Sequence, residues 1–145
     1  MARKFQTKLS HARFVVGPFT SEQMSTLAGG LRDSMRTRIQ AGLNVYDQPA
    51  KPLKPRYAKV KGMKGRSTVR DWTLSGQTLR CMAVISANEN RAVIAFNNPI
   101  AARIARWNNL RERAFGVSPS DRASLVESVN VMARESKLVR TQRTA

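Results

Sequence analysis

The sequence holds one histidine, His11, and one cysteine, Cys81. A Ser-His-Asp triad, a Cys-His pair or a histidine-based metal site would have to be built on these two side chains. His11 lies in a basic stretch, where a surface histidine is the simpler reading. Cys81 lies in the apolar run LRCMAVIS, where a small buried hydrophobe is the simpler reading. The nine acids are scattered, with no two at the spacing that sets paired carboxylates on one element for acid–base or two-metal chemistry. The run KGMKGRS lacks both the glycine spacing and the preceding apolar strand of a phosphate-binding loop. These residue types point away from catalysis, and neither cofactor nor metal is expected. A nuclease whose acids converge only in space is the remaining enzymatic alternative.

What the sequence does concentrate is positive charge. Lys and Arg number 26 against nine acids, a formal net charge of +17 that favours polyanions or acidic protein surfaces as partners. From Gln48 to Arg70 there are eight basic residues, Lys51, Lys54, Arg56, Lys59, Lys61, Lys64, Arg66 and Arg70, and no acid. Arg3, Lys4, Lys8 and Arg13 form a second group at the start of the chain. Such runs suit phosphate contacts that ignore sequence and weaken with salt. A merely solvated basic face is the alternative, because stacking aromatics nearby are limited to Tyr46, Tyr57 and Trp72.

The elements that must position these charges fit one structural domain of 145 residues. Thr20 and Gln23 have capping-box spacing, and Met24, Leu27, Ala28, Leu31, Met35 and Ile39 make the buried face of the helix that follows, with Arg32, Asp33, Arg36 and Arg38 off that face. Gly42 is placed to stop it, and Gly29-Gly30 suggests a bend or a close backbone approach. Pro49, Pro52 and Pro55 then enforce an extended, basic arm over residues 43–70, with Val45, Tyr46, Leu53, Tyr57, Val60 and Met63 as apolar anchors and a short helical turn at Arg56–Val60. Thr78–Ser86 and Arg91–Phe96 read as a β-hairpin turning at Asn88-Glu89-Asn90. Pro99 starts a short helix that Asn108-Asn109 breaks, and Ser118-Pro119-Ser120-Asp121 opens a last helix with Leu125, Val126, Val129, Met132 and Ala133 inward. Residues 1–19 read as a basic N-terminal arm and 137–145 as a frayed tail. The expected fold is therefore α+β: a central antiparallel hairpin or small sheet against two longer amphipathic helices, with the Pro/Lys-rich arm outside. Leu31, Met35, Val84, Ile94, Leu125 and Val129 are expected to share one core. No run approaches the roughly 18 apolar residues of a membrane span, and FVV is too short for a signal-peptide core. Manufacture in a reducing cytoplasm suits the single cysteine.

In chain order these pieces carry three motifs. The first is P-x-x-P-L-x-P with a tyrosine, at Pro49, Pro52, Leu53, Pro55 and Tyr57. The second is L-S-G-x-x-L, at Leu74, Ser75, Gly76 and Leu79. The third is R-x-F-G-V-S-x-x-D, at Arg113, Phe115, Gly116, Val117, Ser118 and Asp121. In this order, over roughly Met24 to Glu135, the chain resembles the virion morphogenesis and tail completion family of tailed bacteriophages. The resemblance implies a non-enzymatic structural protein forming a homo-oligomeric ring, for example a hexamer, at the tail end or in the neck joining head to tail. Its partners would be its own copies, neighbouring neck and tail-tube proteins, and packaged double-stranded DNA in the channel. Tyr46, Pro49, Pro52, Leu53, Pro55, Tyr57 and Val60 would then form an intersubunit arm, with its cations facing DNA or an acidic neighbouring ring. A head–tail connector or stopper is the alternative within the class, and a cytosolic nucleic-acid-binding protein the alternative outside it.

Overall fold

A computed structural model describes residues 19–70 and 76–143, with side chains through Ser136. The N-terminal basic group, His11, Trp72, Leu74 and Ser75 lie outside the described residues. The fold is α+β, in the order α1 (Ser21–Gln40), α2 (Pro55–Met63), α3 (Gln77–Arg80), β1 (Met82–Asn88), β2 (Arg91–Phe96), α4 (Pro99–Arg111) and α5 (Pro119–Arg143).

α1 begins as its sequence dictates. The Thr20 hydroxyl accepts from the Gln23 N–H at 3.2 Å, and the Gln23 side chain accepts from the Thr20 N–H at 2.9 Å, closing the capping box. Leu27, Ala28, Leu31, Met35 and Ile39 are buried along one stripe, and Gly42, at φ 76°, ends the helix in the left-handed conformation that glycine adopts without steric cost. Arg38 departs from expectation. It lies on the buried side of the helix rather than away from it. Among the described residues nothing lies within 4 Å of a Cβ placed at Gly29 or Gly30, so close backbone approach does not account for this pair.

The hairpin pairs Met82 with Phe96 and runs to Asn88 opposite Arg91, with a register shift between Val84 and Ser86. Its turn is held by the Asn88 side chain, whose oxygen accepts from the N–H groups of Asn90 and Arg91 at 3.0 and 2.8 Å. Thr78–Arg80 belongs to the short α3 rather than to the strand, so β1 begins at Met82. Cys81, at the junction, is half-buried rather than fully buried. A lone pair of strands is marginal in water, and here α1 packs against β1 and β2 and also against α5. The common core joins Leu31, Met35, Ile39, Leu79, Met82 and Ala114, with Ile94, Phe96, Phe115, Val117 and Leu125 half-buried against it. Phe96 and Phe115 meet edge to face, with ring centroids 5.5 Å apart. Val129 is buried and Val84 half-buried.

α4 does not break at Asn108-Asn109. It continues to Arg111 because the Asn109 side chain finds its acceptors and donors in the loop beyond, taking the N–H groups of Ala114 and Phe115 at 2.9 and 3.0 Å. The last helix runs through Arg143, past Lys137 where the sequence suggested fraying.

Two α1 substitutions should separate packing from propensity. Leu31→Ala, in the buried cluster, should cost roughly 2–5 kcal/mol, whereas Gly30→Ala, on the exposed side, should gain about 1 kcal/mol. Urea unfolding of both variants checks this, and a neutral Leu31→Ala would overturn the phasing of α1.

Candidate functional site

The basic arm is mounted on a buried ion pair. The Arg38 Nε donates to Asp121 Oδ2 at 2.8 Å, in the last turn of α1 and the first turn of α5, with both side chains out of solvent. Every remaining guanidinium nitrogen is used: Nη1 donates to the Leu43 carbonyl at 3.2 Å, and Nη2 to the Ala114 and Gly116 carbonyls at 3.0 and 2.7 Å. Asp121 also accepts from the Ser34 hydroxyl at 2.7 Å and the Ser118 N–H at 3.1 Å, while the Ser118 hydroxyl accepts from the Asp121 N–H at 3.1 Å. A buried charge pair is tolerated only when its polar atoms are satisfied in this way. One side chain thus joins α1, the start of the arm, the loop before α5 and α5 itself.

The arm leaves α1 as a tight turn laid on residues 112–120. Asn44 takes the N–H groups of Tyr46 and Gln48 on its side-chain oxygen and donates its amide to buried Glu112 at 3.1 Å. The Val45 N–H donates to the Arg113 carbonyl at 2.7 Å, Leu43 pairs with Pro49 in an isolated bridge, and the Ala50 N–H returns to the Gly42 carbonyl at 2.8 Å. Asp47 sits at φ 58°, and its carboxylate accepts from the Ser120 N–H and hydroxyl at 2.8 and 2.6 Å. Partial burial works against the Asp47 charge, but these bonds outweigh it and hold its carboxyl below the ordinary value. Gly116 suits a close approach, since a Cβ there would stand 3.0 Å from the Val45 side chain, which would have to shift.

Beyond this turn the arm is not extended throughout, because the short turn expected at Arg56–Val60 is the nine-residue α2, started by Pro55 at its first position. The arm also closes on itself. The Arg70 guanidinium donates to the Lys51 and Pro52 carbonyls at 2.7 and 3.2 Å, and the Lys61 ammonium donates to the Val69 carbonyl at 2.8 Å. Lys61, expected to face a partner, is buried at 1% exposure, and Arg70 is spent on the stitch. Lys51, Lys54, Arg56, Lys59, Lys64 and Arg66 are exposed. Of the apolar anchors, Tyr46, Tyr57, Val60 and Met63 are exposed, as are Pro49, Pro52 and Pro55, while Val45 and Leu53 are half-buried. α2 has no side-chain cap and no acid in its first turn, so its own backbone dipole is opposed by Arg56.

The described motif residues near Asp121 converge on the arm's root. Arg113 donates to the Tyr46 hydroxyl at 3.2 Å, Phe115 packs on Phe96, Gly116 receives Arg38, and Ser118 with Asp121 caps α5. Gly76, at φ 68°, caps α3, and Leu79 is in the core. Reasoning from sequence passed over Arg38, Asn44, Asn109 and Glu112, which position the arm. The signal for Arg38 was available: it falls three residues after Met35 on the apolar stripe. Among the described residues, no group of three or more His, Cys, Asp or Glu could hold a metal ion, and no helix is long and apolar enough to cross a membrane. Comparison of the chain with protein-family models, curated proteins and solved structures gives no match.

Arg38→Met and Asp121→Asn should each destabilise by roughly 3–5 kcal/mol, since either leaves a buried charge without its partner. Denaturant unfolding measures this, and a loss below ~1 kcal/mol in both would remove the pair from the centre of the fold. Asp47 gives a pH test. Its folded value is depressed, so its contribution is present above about pH 4 and fades as pH falls through the folded value. The difference in melting temperature between the parent and Asp47→Asn, which keeps a residue tolerant of positive φ, should hold near neutrality and shrink in acid. A difference unchanged down to about pH 2 would count against the contact.

Proposed function

We propose that this chain is a structural virion protein of the head–tail interface of a tailed bacteriophage, a tail terminator or tail completion protein that works as a homo-oligomeric ring in the neck. The reading is supported above all by the form of residues 43–70. That segment is fastened at its root and stitched at its neck, yet it presents six exposed cations together with exposed Tyr57, Val60 and Met63. Apolar side chains kept in water by a fixed backbone suit contact with a neighbour, and cations lacking acids suit a polyanion. In a ring the apolar anchors would lie on the next subunit, and the cations would face packaged DNA or an acidic adjoining ring. The third of the motifs behind the family resemblance, Arg113 to Asp121, is also the arm's mounting, which gives those residues a reason to occur together.

The test is to replace residues 53–68 with a short glycine–serine link, keeping Lys51, Pro52 and Arg70 in place. The variant should still melt cooperatively, losing only the helical circular dichroism that α2 contributes, while particles lose finished tails or fail to join heads. Infectious particles built with the shortened chain would overturn the proposal, as would absence of the protein from purified particles whose portal is readily counted by mass spectrometry. Lys59, Lys64 and Arg66 changed together to glutamate then locate the charge. Loss of DNA retention with attachment intact assigns these side chains to the channel, and loss of attachment to DNA-free tails assigns them to a protein partner. Lys61 is left unchanged because burying a carboxylate in its place would disturb the arm itself.

A further inference from the structure

α4 is mounted with its small residues inward. Ala101 and Ala105 are buried against the fold, whereas Ile100, Ile104, Trp107 and Leu110 all face out, Trp107 at 61% and Leu110 at 74% exposure. Their spacing makes one row about 15 Å long at 1.5 Å of rise per residue. An amphipathic helix ordinarily turns such a row towards a core. By the 100° helical step, Arg103 and Arg111 both fall within the arc of the row.

Charge decides what can cover this face. Arg103, Arg106 and Arg111 share the helix with no acid, and Glu112, which follows, is buried on Asn44. Among the described residues the ion pairs are Arg32–Asp33, Arg36–Asp33 and Arg38–Asp121, so none of the three α4 arginines has one. A second copy of the chain is poorly suited to supply the acids. Of the nine acids Asp71 lies outside the described residues; among the rest, Asp33, Asp47, Glu112 and Asp121 are engaged within their own chain, and Glu22, Glu89, Glu127 and Glu135 are spread over α1, the hairpin turn and α5. An anionic lipid surface would favour cations along the flank of the row, but Arg111, at the end of the row, and Arg103 fall within its apolar sector.

We propose that the outer face of α4 is the docking site for an acidic amphipathic helix of a different protein, its apolar row laid on Ile100, Ile104, Trp107 and Leu110 and its carboxylates on Arg103 and Arg111. The apolar contact supplies affinity and the arginines fix register and polarity. The inference stands on the α4 surface and holds or fails independently of the head–tail reading.

The full chain carrying Trp72→Phe, so that emission reports Trp107, is titrated with a helical peptide of leucine and glutamate, leucines at the i, i+3, i+4, i+7 positions. Saturable binding with a blue shift is expected, weakened at least ~10-fold by Leu110→Glu or by Arg103→Glu with Arg111→Glu. A leucine–lysine peptide of the same pattern should bind the doubly reversed variant and not the parent. These positions are exposed, and thermal melts verify that each variant stays folded. Several results overturn the proposal. One is no saturable binding up to about 1 mM, and another is binding indifferent to the variants. A third is tighter binding to phosphatidylglycerol vesicles, lost in the same variants, which assigns the face to a membrane surface. A fourth is a dimer in sedimentation equilibrium that Leu110→Glu dissolves, which assigns it to a second copy.

Discussion

The buried contact between Arg38 and Asp121 is the constraint on which the rest of the structure depends. Removing two charges from water is unfavourable, and this pair persists because each group is also hydrogen-bonded by the backbone and hydroxyls that it must organise. The geometry follows from that requirement. The Leu43, Ala114 and Gly116 carbonyls can reach one guanidinium only if the chain leaving α1 and the chain entering α5 lie side by side. The two helices are locked at the ends where their dipoles favour these charges, a cation at the end of α1 and an anion at the start of α5.

From that joint the arm acquires its base. Val45 closes on Gly116 and Asn44 on Glu112 in the loop that Arg38 holds, and Asp47 closes on Ser120 in the first turn of α5. The hydrophobic core adjoins this joint, and Ala114 belongs to both. Packing and presentation therefore use neighbouring rows of one helix: Leu31, Met35 and Ile39 serve the core, and Ser34 and Arg38 serve the mounting of the arm.

Much of the fold was legible because local chemistry and periodicity agreed. Thr20 with Gln23, Asn88 in its turn and Ser118 with Asp121 are short-range devices whose meaning is contained in a few residues, and the α1 stripe is regular. What could not be read was long-range. The place of Arg38 on the apolar stripe could be read, but not that Asp121, eighty-odd residues away, arrives there as its partner. Prolines correctly marked the irregular stretch from Pro49 to Pro52, but Pro55 at a first helical position starts a helix as readily as it ends an arm. Lys61 looked like its neighbours because one lysine reads like another, and only the return of Val69 distinguishes it. On α4 the sequence sets both Ile100, Ile104 and Trp107 and the pair Ala101 and Ala105 at helical spacing, but does not show which set faces the protein. The small Ala101 and Ala105 won the inward position because they let the helix sit close, beside α3 and β2.

The stitch made by Arg70 gives the arm a thermodynamic character of its own. A segment whose two ends are already tied at Lys51 and Pro52 has given up much of its loop entropy during folding of its own chain, so docking need not order it anew. If the arm docks as proposed, its association should carry the small heat-capacity change of surfaces meeting as rigid bodies rather than the large one of a chain folding upon its target. Under the function proposed above, encounters would be limited by orientation and charge rather than by waiting for a rare conformer, and each subunit would be competent to assemble from the moment it folds.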